Sequence, residues 1–310
     1  MDIIFFGTPA IAIPTLEIIK QNYNIKLLVC QPDKPGGRGH KKIMPPTKEY
    51  ALRYSIPIFQ PEKIKNNEEA FNILQSMKPD FIIVVAYGKI LPPSILNIPE
   101  CASINVHFSL LPKYRGAAPV NWAIINGENF SGVSTMIMAE KLDAGDILLQ
   151  KSVRINNKNS IELSNELSLL GGQLLLKTLL NFSKIRRKIQ IEKKVSFAPI
   201  LQKEDGLINW SLPAKIIERR IRGLLPWPAC YSYHNNKVYK LLKASVVEYK
   251  HIGENAQPGT VVGVQKDLLL IKTGDGLLSI NRIQVEGKKE MSIKDFLAGN
   301  KIKIGECFNS

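Results

Sequence analysis

The sequence predicts an α/β chain: a doubly wound, mostly parallel sheet followed by a small, OB-like β-barrel. Three observations carry this. In the first part, short apolar strands alternate with segments of helical period. Phe81-Ile82-Ile83-Val84-Val85-Ala86 is a continuous apolar run, as expected of a strand buried on both faces of a parallel sheet. Beyond about residue 230 the pattern changes to short strand-like runs separated by turns.

Taken in order, Ile3–Phe6 reads as a strand closed by Gly7-Thr8-Pro9, and helical spacing runs from Ile11 to Gln21. Lys26–Cys30 is a second strand. Residues 31–46, QPDKPGGRGHKKIMPP, hold four prolines, three glycines and Lys34, Arg38, Lys41 and Lys42, and read as one long loop. The spacing predicts helices over 68–77, 118–126 and 160–180, the last with Leu163, Leu167, Leu170 and Leu174 on one face. Ser103–His107 and Val133–Met138 complete the strands of this part. Residues 183–205 are charged, lack an apolar period and read as a basic linker. A helix is expected over Pro213–Gly223, then strands at Tyr231–His234, Val238–Val247, Thr260–Val264, Leu268–Thr273 and Leu277–Gln284, with a turn at Thr273-Gly274-Asp275-Gly276. The expected domains are therefore 1–182 and 206–310, joined by 183–205. There is no internal repeat.

No apolar run approaches the roughly 18 residues of a membrane helix, and the N-terminus enters a strand at once, so a cytoplasmic protein without a membrane partner is expected. Cys30, Cys101, Cys230 and Cys307 form no CxxC pair, which suggests neither a zinc site nor a disulfide framework. The net charge is +15. Residues 1–182 carry 19 basic and 15 acidic side chains and residues 183–310 carry 23 and 12, so the excess lies in the C-terminal part. A polyanionic partner or a solvated basic face would each account for it.

Neither GxxxxGK[ST] nor GxGxxG occurs, and no G-x-S-x-G elbow supplies a serine nucleophile. The chemistry-bearing segment is Ile104–Pro119, where an alternating strand ends in Asn105 and His107 and runs into a Pro- and Gly-rich loop. Residues i and i+2 of a strand share a face, so Asn105 and His107 face one site. An amide N–H donates to a developing oxyanion, and an imidazole donates or takes a proton. His107 alone among four histidines is embedded in an apolar strand; His40, His234 and His251 look loop-like. Asp143, in a turn after the Val133–Met138 strand, could orient His107. The residue types fit a catalytic trio and a buried polar network holding loops equally well.

The segments IIFFGTP, QPDKPGGRG, VVAYGKILP, INVHFSLLPKYRGAAPVNWAI and KLDAGDIL, followed by INWS, PWPA, KASV, PGTV and TGDGLL, occur in an order that resembles the methionyl-tRNA formyltransferase family. The resemblance runs from about residue 2 to residue 300. The Asn-x-His plus Asp set is similar to that of all 10-formyltetrahydrofolate-dependent formyltransferases, while the basic loop and second domain resemble the tRNA-directed branch. Phe108 departs from the glycine often found after the histidine, and the loop is one residue longer at His40.

The resemblance implies a Rossmann-like catalytic domain and transfer of a formyl group from 10-formyltetrahydrofolate to methionyl initiator tRNA. Asn105, His107 and Asp143 would be catalytic. The folate would lie along Ser109, Leu110, Leu111 and Pro112, walled by Val85, Tyr87, Ile90 and Leu91. Lys34, Arg38, Lys41 and Lys42 of the loop, and Arg186, Arg187 and Lys188 of the linker, would contact the tRNA, as would the barrel. No metal is implied, and a monomer is expected. Transfer to a small amine, hydrolysis of the folate, and an RNA-binding relative with a vestigial site are the alternatives.

Overall fold

Seven strands build the first sheet: β1 (Asp2–Gly7), β2 (Asn24–Val29), β3 (Ile58–Phe59), β4 (Phe81–Val85), β5 (Ala102–His107), β6 (Phe130–Ile137) and β7 (Ile147–Arg154). Their order is β7-β6-β5-β4-β1-β2-β3. The first five run parallel, β6 pairs antiparallel with β5, and β7 pairs antiparallel with β6. The computed structural model describes residues 1–36, 42–247 and 255–309. Chain order reverses between β1 and β4, the switch point outside which doubly wound sheets bind ligands. β4 is buried along its whole length, which is why its sequence is apolar without alternation.

The helices of this region are α1 (Ile13–Asn22), α2 (Pro46–Arg53), α3 (Glu68–Ser76), the single turn α4 (Pro93–Leu96), α5 (Pro119–Ile125) and α6 (Ser160–Leu180). Asn67 caps α3, its side chain accepting the Ala70 N–H. Gly171 and Gly172 let α6 approach closely. A Cβ on Gly171 would come within 3.0 Å of Val106 and 3.3 Å of Phe108, and one on Gly172 within 2.6 Å of Ile18.

Several features differ from the sequence expectation, which contained none of α2, β3 and α4. β7 was not anticipated. Its edge position leaves most of Leu149–Arg154 partly or fully exposed, so it carries only a short apolar run. The root of the 31–46 loop is ordered: Lys34–Pro35 pairs with Lys42–Ile43, and Asp33 binds Lys48 at 2.8 Å and Gln60 at 2.9 Å. Finally, the segment expected as a basic linker docks on the first unit as far as Pro199. Ile147 and Lys188 exchange backbone hydrogen bonds of 2.9 Å, and Phe197–Ala198 pairs with Arg115–Gly116.

Contacts divide the chain into two units, the first holding residues 1–119, 130–154 and 163–199 and the second the remainder. The second therefore takes α5 from the middle of the first region's sequence. Asn121 Nδ2 donates to the Gly223 carbonyl at 2.7 Å, and Arg222 donates to the Lys158 carbonyl at 2.8 Å. The rest is α7 (Ala214–Gly223), strands β8 (Cys230–His234), β9 (Lys237–Val247), β10 (Val261–Gln265), β11 (Leu268–Lys272), β12 (Leu277–Val285) and β13 (Met291–Ser292), and α8 (Ile293–Gly299). The antiparallel order is β8-β9-β12-β11-β10, with β13 on β12.

The two edges of this sheet are joined by the chain's tail. Tyr233 and Asn309 exchange backbone hydrogen bonds of 3.0 and 2.7 Å, while Val261 N–H donates to the Glu306 carbonyl at 2.8 Å and Gly305 N–H donates to the Val261 carbonyl at 2.9 Å. Phe308 carries the tail into an aromatic core with Trp210, Tyr239 and His234. His234 is thus not loop-like. It ends β8, is buried, and stacks on Phe308 with ring centroids 4.8 Å apart. Its polar neighbours Asn235 and Asn236 form the turn to β9, both at positive φ.

Candidate active site

The last residues of β5 bring two polar side chains to the carboxyl end of the sheet, beside β4 and the switch point. Asn105 and His107 are both buried, at 9% and 6% exposure, and both approach Asp143. Asn105 Nδ2 lies 3.4 Å from Asp143 Oδ1, and His107 Nδ1 lies 3.7 Å from Asp143 Oδ2. Asp143 Oδ2 also accepts the Gly116 N–H at 2.8 Å. Asp143 has φ of 49°, a left-handed conformation that Asp tolerates better than most residues.

His107 Nε2 lies 2.8 Å from the Tyr114 carbonyl. A carbonyl only accepts, so Nε2 carries the proton there and Nδ1 is the nitrogen that faces Asp143. Nε2 is thus engaged within the protein, whereas Nδ1 stands 3.7 Å from the Asp143 carboxylate, beyond hydrogen-bond distance. Asn105 keeps a second amide N–H beyond the one directed at Asp143, so it is the donor open to a developing negative charge.

Phe108 points away from this cluster. It is buried beside Val106 on the opposite face of β5, against Gly171 of α6. The glycine in α6 accommodates the larger ring.

The following loop is held from within. Ser109 Oγ donates to the Lys113 carbonyl at 2.6 Å, and the Ser109 carbonyl accepts Ser134 Oγ at 2.7 Å. Leu111 N–H donates to Ser134 Oγ at 3.1 Å, and the Leu111 carbonyl accepts Gln150 at 2.9 Å. Leu111 packs with Met136 and Ile147, Leu110 reaches over Gly132, and Pro112 is half-buried. On the β4 side Val85, Tyr87 and Leu91 are buried and Ile90 is 72% exposed. Thr8 and Gln31, at the ends of β1 and β2, both donate to the Tyr87 carbonyl at 3.1 Å.

Burial pushes the Tyr87 hydroxyl up to about 12, and it has no hydrogen-bond partner in the structure. Burial likewise raises the neighbouring Cys30 thiol to about 11. Among the described residues, no group of three His, Cys, Asp or Glu side chains could hold a metal ion, and no helix is long and apolar enough to cross a membrane.

Of the basic residues singled out, Lys34 and Lys42 are exposed on the paired loop root, while Arg38 and Lys41 lie outside the described residues. Arg186, Arg187 and Lys188 are exposed, with Arg187 over the Phe182 ring at 5.7 Å. Residues not singled out prove central. Arg115 is almost wholly buried and donates to Gln190 Oε1 at 2.9 and 3.1 Å, and Gln190 Nε2 donates to the carbonyls of Asp143 and Gly145. The YRG of the motif was a visible signal for Arg115. Gln190 sits in a charged stretch with no apolar period and gave none.

The family description "Formyl transferase" matches residues 1–179, and "Formyl transferase, C-terminal domain" matches residues 200–301. The methionyl-tRNA formyltransferase of Caldanaerobacter subterraneus subsp. tengcongensis is 46% identical over 309 residues, 98% of this chain and 99% of that protein. That of Thermodesulfovibrio yellowstonii is also 46% identical, over 98% of this chain and 97% of its own. Among solved structures, the N-formyltransferase from Helicobacter canadensis, in complex with folinic acid and dTDP-3-aminofucose, superimposes with TM-score 0.64 at 18% identity, covering 93% of this chain and 99% of its own. HypX from Aquifex aeolicus in complex with tetrahydrofolic acid gives TM-score 0.64 at 16% identity, over 98% of this chain and 50% of its own. At such identities these two likenesses speak for the fold.

Proposed function

The chain belongs to the formyl transferase family in both of its matched regions, and on that premise we propose that it moves the formyl group of 10-formyltetrahydrofolate to the α-amino group of methionyl initiator tRNA. The observation that carries the reading is the convergence of Asn105, His107 and Asp143 at the end of β5, in a chain 46% identical to a methionyl-tRNA formyltransferase.

In the reaction the amine nitrogen bonds to the formyl carbon, the carbonyl oxygen takes on negative charge, and the bond from carbon to the folate nitrogen then breaks. The amine sheds a proton and the folate nitrogen gains one. Asn105 donates its free N–H to the oxygen. Asp143 and the Nδ1 edge of His107 take the proton, directly or through one water, and Asp143 holds both side chains in register. A free α-amine titrates near pH 7.7–8.0, so little base strength is needed and alignment supplies most of the rate.

The folate would be held by the loops after β4 and β5, with apolar groups of Val85, Tyr87, Ile90, Leu91 and Leu110 near it. The tRNA would meet the loop carrying Lys34, Arg38, Lys41 and Lys42, the exposed Arg186, Arg187 and Lys188, and the basic second unit. In that unit Lys215, Arg219, Lys243 and Arg282 line a cavity of about 1080 Å³ together with Glu128, Glu162, Glu218 and Glu290, and Arg282 is paired to Glu290 at 2.7 Å. Contacts of basic groups with the tRNA neutralise phosphates and weaken with salt.

The test is formyl transfer from labelled 10-formyltetrahydrofolate, comparing methionyl initiator and elongator tRNA. Label on the initiator tRNA alone is expected. Release of free formate, or label only on small amines, would overturn the reading.

A further inference from the structure

We propose that Gln190 is a positioning residue for formyl transfer: its side-chain amide clamps the Asp143 loop so that the carboxylate meets Asn105 and His107. This rests on the function proposed above.

Gln190 is 7% exposed, whereas Arg186 to Ile189 and Ile191 to Lys194 are exposed around it. Its Oε1 accepts two N–H groups of Arg115, at 3.1 and 2.9 Å. A guanidinium only donates, so the orientation of the amide is settled and Nε2 must point the other way. There its two N–H groups meet two carbonyls, Asp143 at 2.8 Å and Gly145 at 2.7 Å. Apart from these bonds the loop is held by Ala144 N–H to the Lys141 carbonyl at 3.2 Å and by Ile137 N–H to the Asp146 carbonyl at 2.9 Å, neither of which engages the backbone of Asp143 or Gly145. Asp143 is left-handed, and Gly145 sits so close to β6 that a Cβ would fall 1.9 Å from the Ile137 carbonyl. Gln190 therefore fixes the backbone of Asp143 while Gly116 N–H fixes its carboxylate. Arg115 is tied in turn to Glu192 at 3.2 Å and to the Phe197–Ala198 strand. Gln190 contacts neither Asn105 nor His107, so it acts through Asp143.

The rival role is structural: Gln190 merely supplies an acceptor for the buried Arg115. Gln190→Glu separates the two, because the carboxylate still accepts from Arg115 but has no N–H for either carbonyl. In the full-length enzyme we expect kcat to fall roughly 10- to 100-fold with KM for tRNA and formyl donor within about twofold, the scale of a catalytic group misplaced by an ångström. On an Asp143→Ala background the same substitution should cost nothing further. Near wild-type kcat, or a full additional loss on that background, would overturn the proposal. If Gln190→Glu does not fold, the Arg115→Met/Gln190→Met pair, which leaves no buried charge, goes through the same cycle with the same two outcomes. The ¹⁵N shifts of the His107 ring provide a readout that needs no turnover. They should change in Gln190→Glu, and an unchanged pattern would overturn the clamp even in a protein that transfers no formyl group. Absence of transfer by the wild type would sink only the function proposed above.

Discussion

Replacing Asp143 by Asn keeps the side chain's shape and removes its charge. The carboxylate accepts the Gly116 N–H at 2.8 Å and the Asn105 N–H at 3.4 Å, and its Oδ2 stands 3.7 Å from His107 Nδ1. An amide has one accepting oxygen. If that oxygen stays on Gly116 and His107, the new NH₂ faces the Asn105 NH₂, and Asn105 must turn over and withdraw its donor. Loss of one oxyanion donor alone costs roughly 2.7–4 kcal/mol, or about 10²–10³ in kcat. We therefore expect Asp143→Asn to lower kcat by about 10²–10³ while KM for either substrate changes little. Weakening the charge-assisted bond from Gly116 should cost about 1 kcal/mol of stability, a small shift in Tm. Single-turnover formyl transfer and a thermal melt measure the two. A kcat within threefold of wild type would refute the assignment and reduce Asp143 to a loop tie.

Thiol labelling at pH 8 should modify Cys101 and Cys307, which are exposed, and spare Cys30 and Cys230 until the protein is unfolded. Burial holds those two at about 11 and about 12, so only about 10⁻³ and 10⁻⁴ of each is thiolate at that pH. Rapid native labelling of four thiols would contradict the burial described. Phe308→Ala should cost about 3–5 kcal/mol by emptying the aromatic core of the second unit, read as a lowered denaturation midpoint. Arg38→Ala should raise KM for the tRNA and flatten its salt dependence while leaving folate affinity unchanged. Weakened folate binding would place that residue in the folate site instead.

The parallel sheet and the antiparallel second unit were legible because their patterns are local. The run in β4 follows from burial on both faces, Ser103–His107 alternates polar and apolar side chains although it is buried throughout, and the five strands expected in the second unit fall within a residue of their places, with β13 in addition. Asn105 and His107 could be paired from their spacing alone. What escaped is long-range. Gln190 is known as a clamp only once Arg115, 75 residues earlier, stands beside it. The contribution of α5 to the second unit depends on Gly223 lacking a side chain, which places its backbone against Asn121 and Ile125, and that of Ile155–Glu162 shows only in the bond from Arg222 to the Lys158 carbonyl. His234 looked solvated because two asparagines follow it, yet they form the turn and leave the imidazole inside.

The pairing of Arg115–Gly116 with Phe197–Ala198 has a consequence for the order in which the protein becomes competent during synthesis. Every strand of the first sheet, all of α6 and all three polar site residues have been made once the ribosome passes residue 180. At that moment Arg115 lacks its acceptor and the Asp143 loop lacks its clamp, since both reside between residues 188 and 198. The nascent domain can carry its native sheet while its reaction centre is still unassembled. Docking of this late segment marks the passage from a folded domain to a working one, and it precedes completion of the second unit.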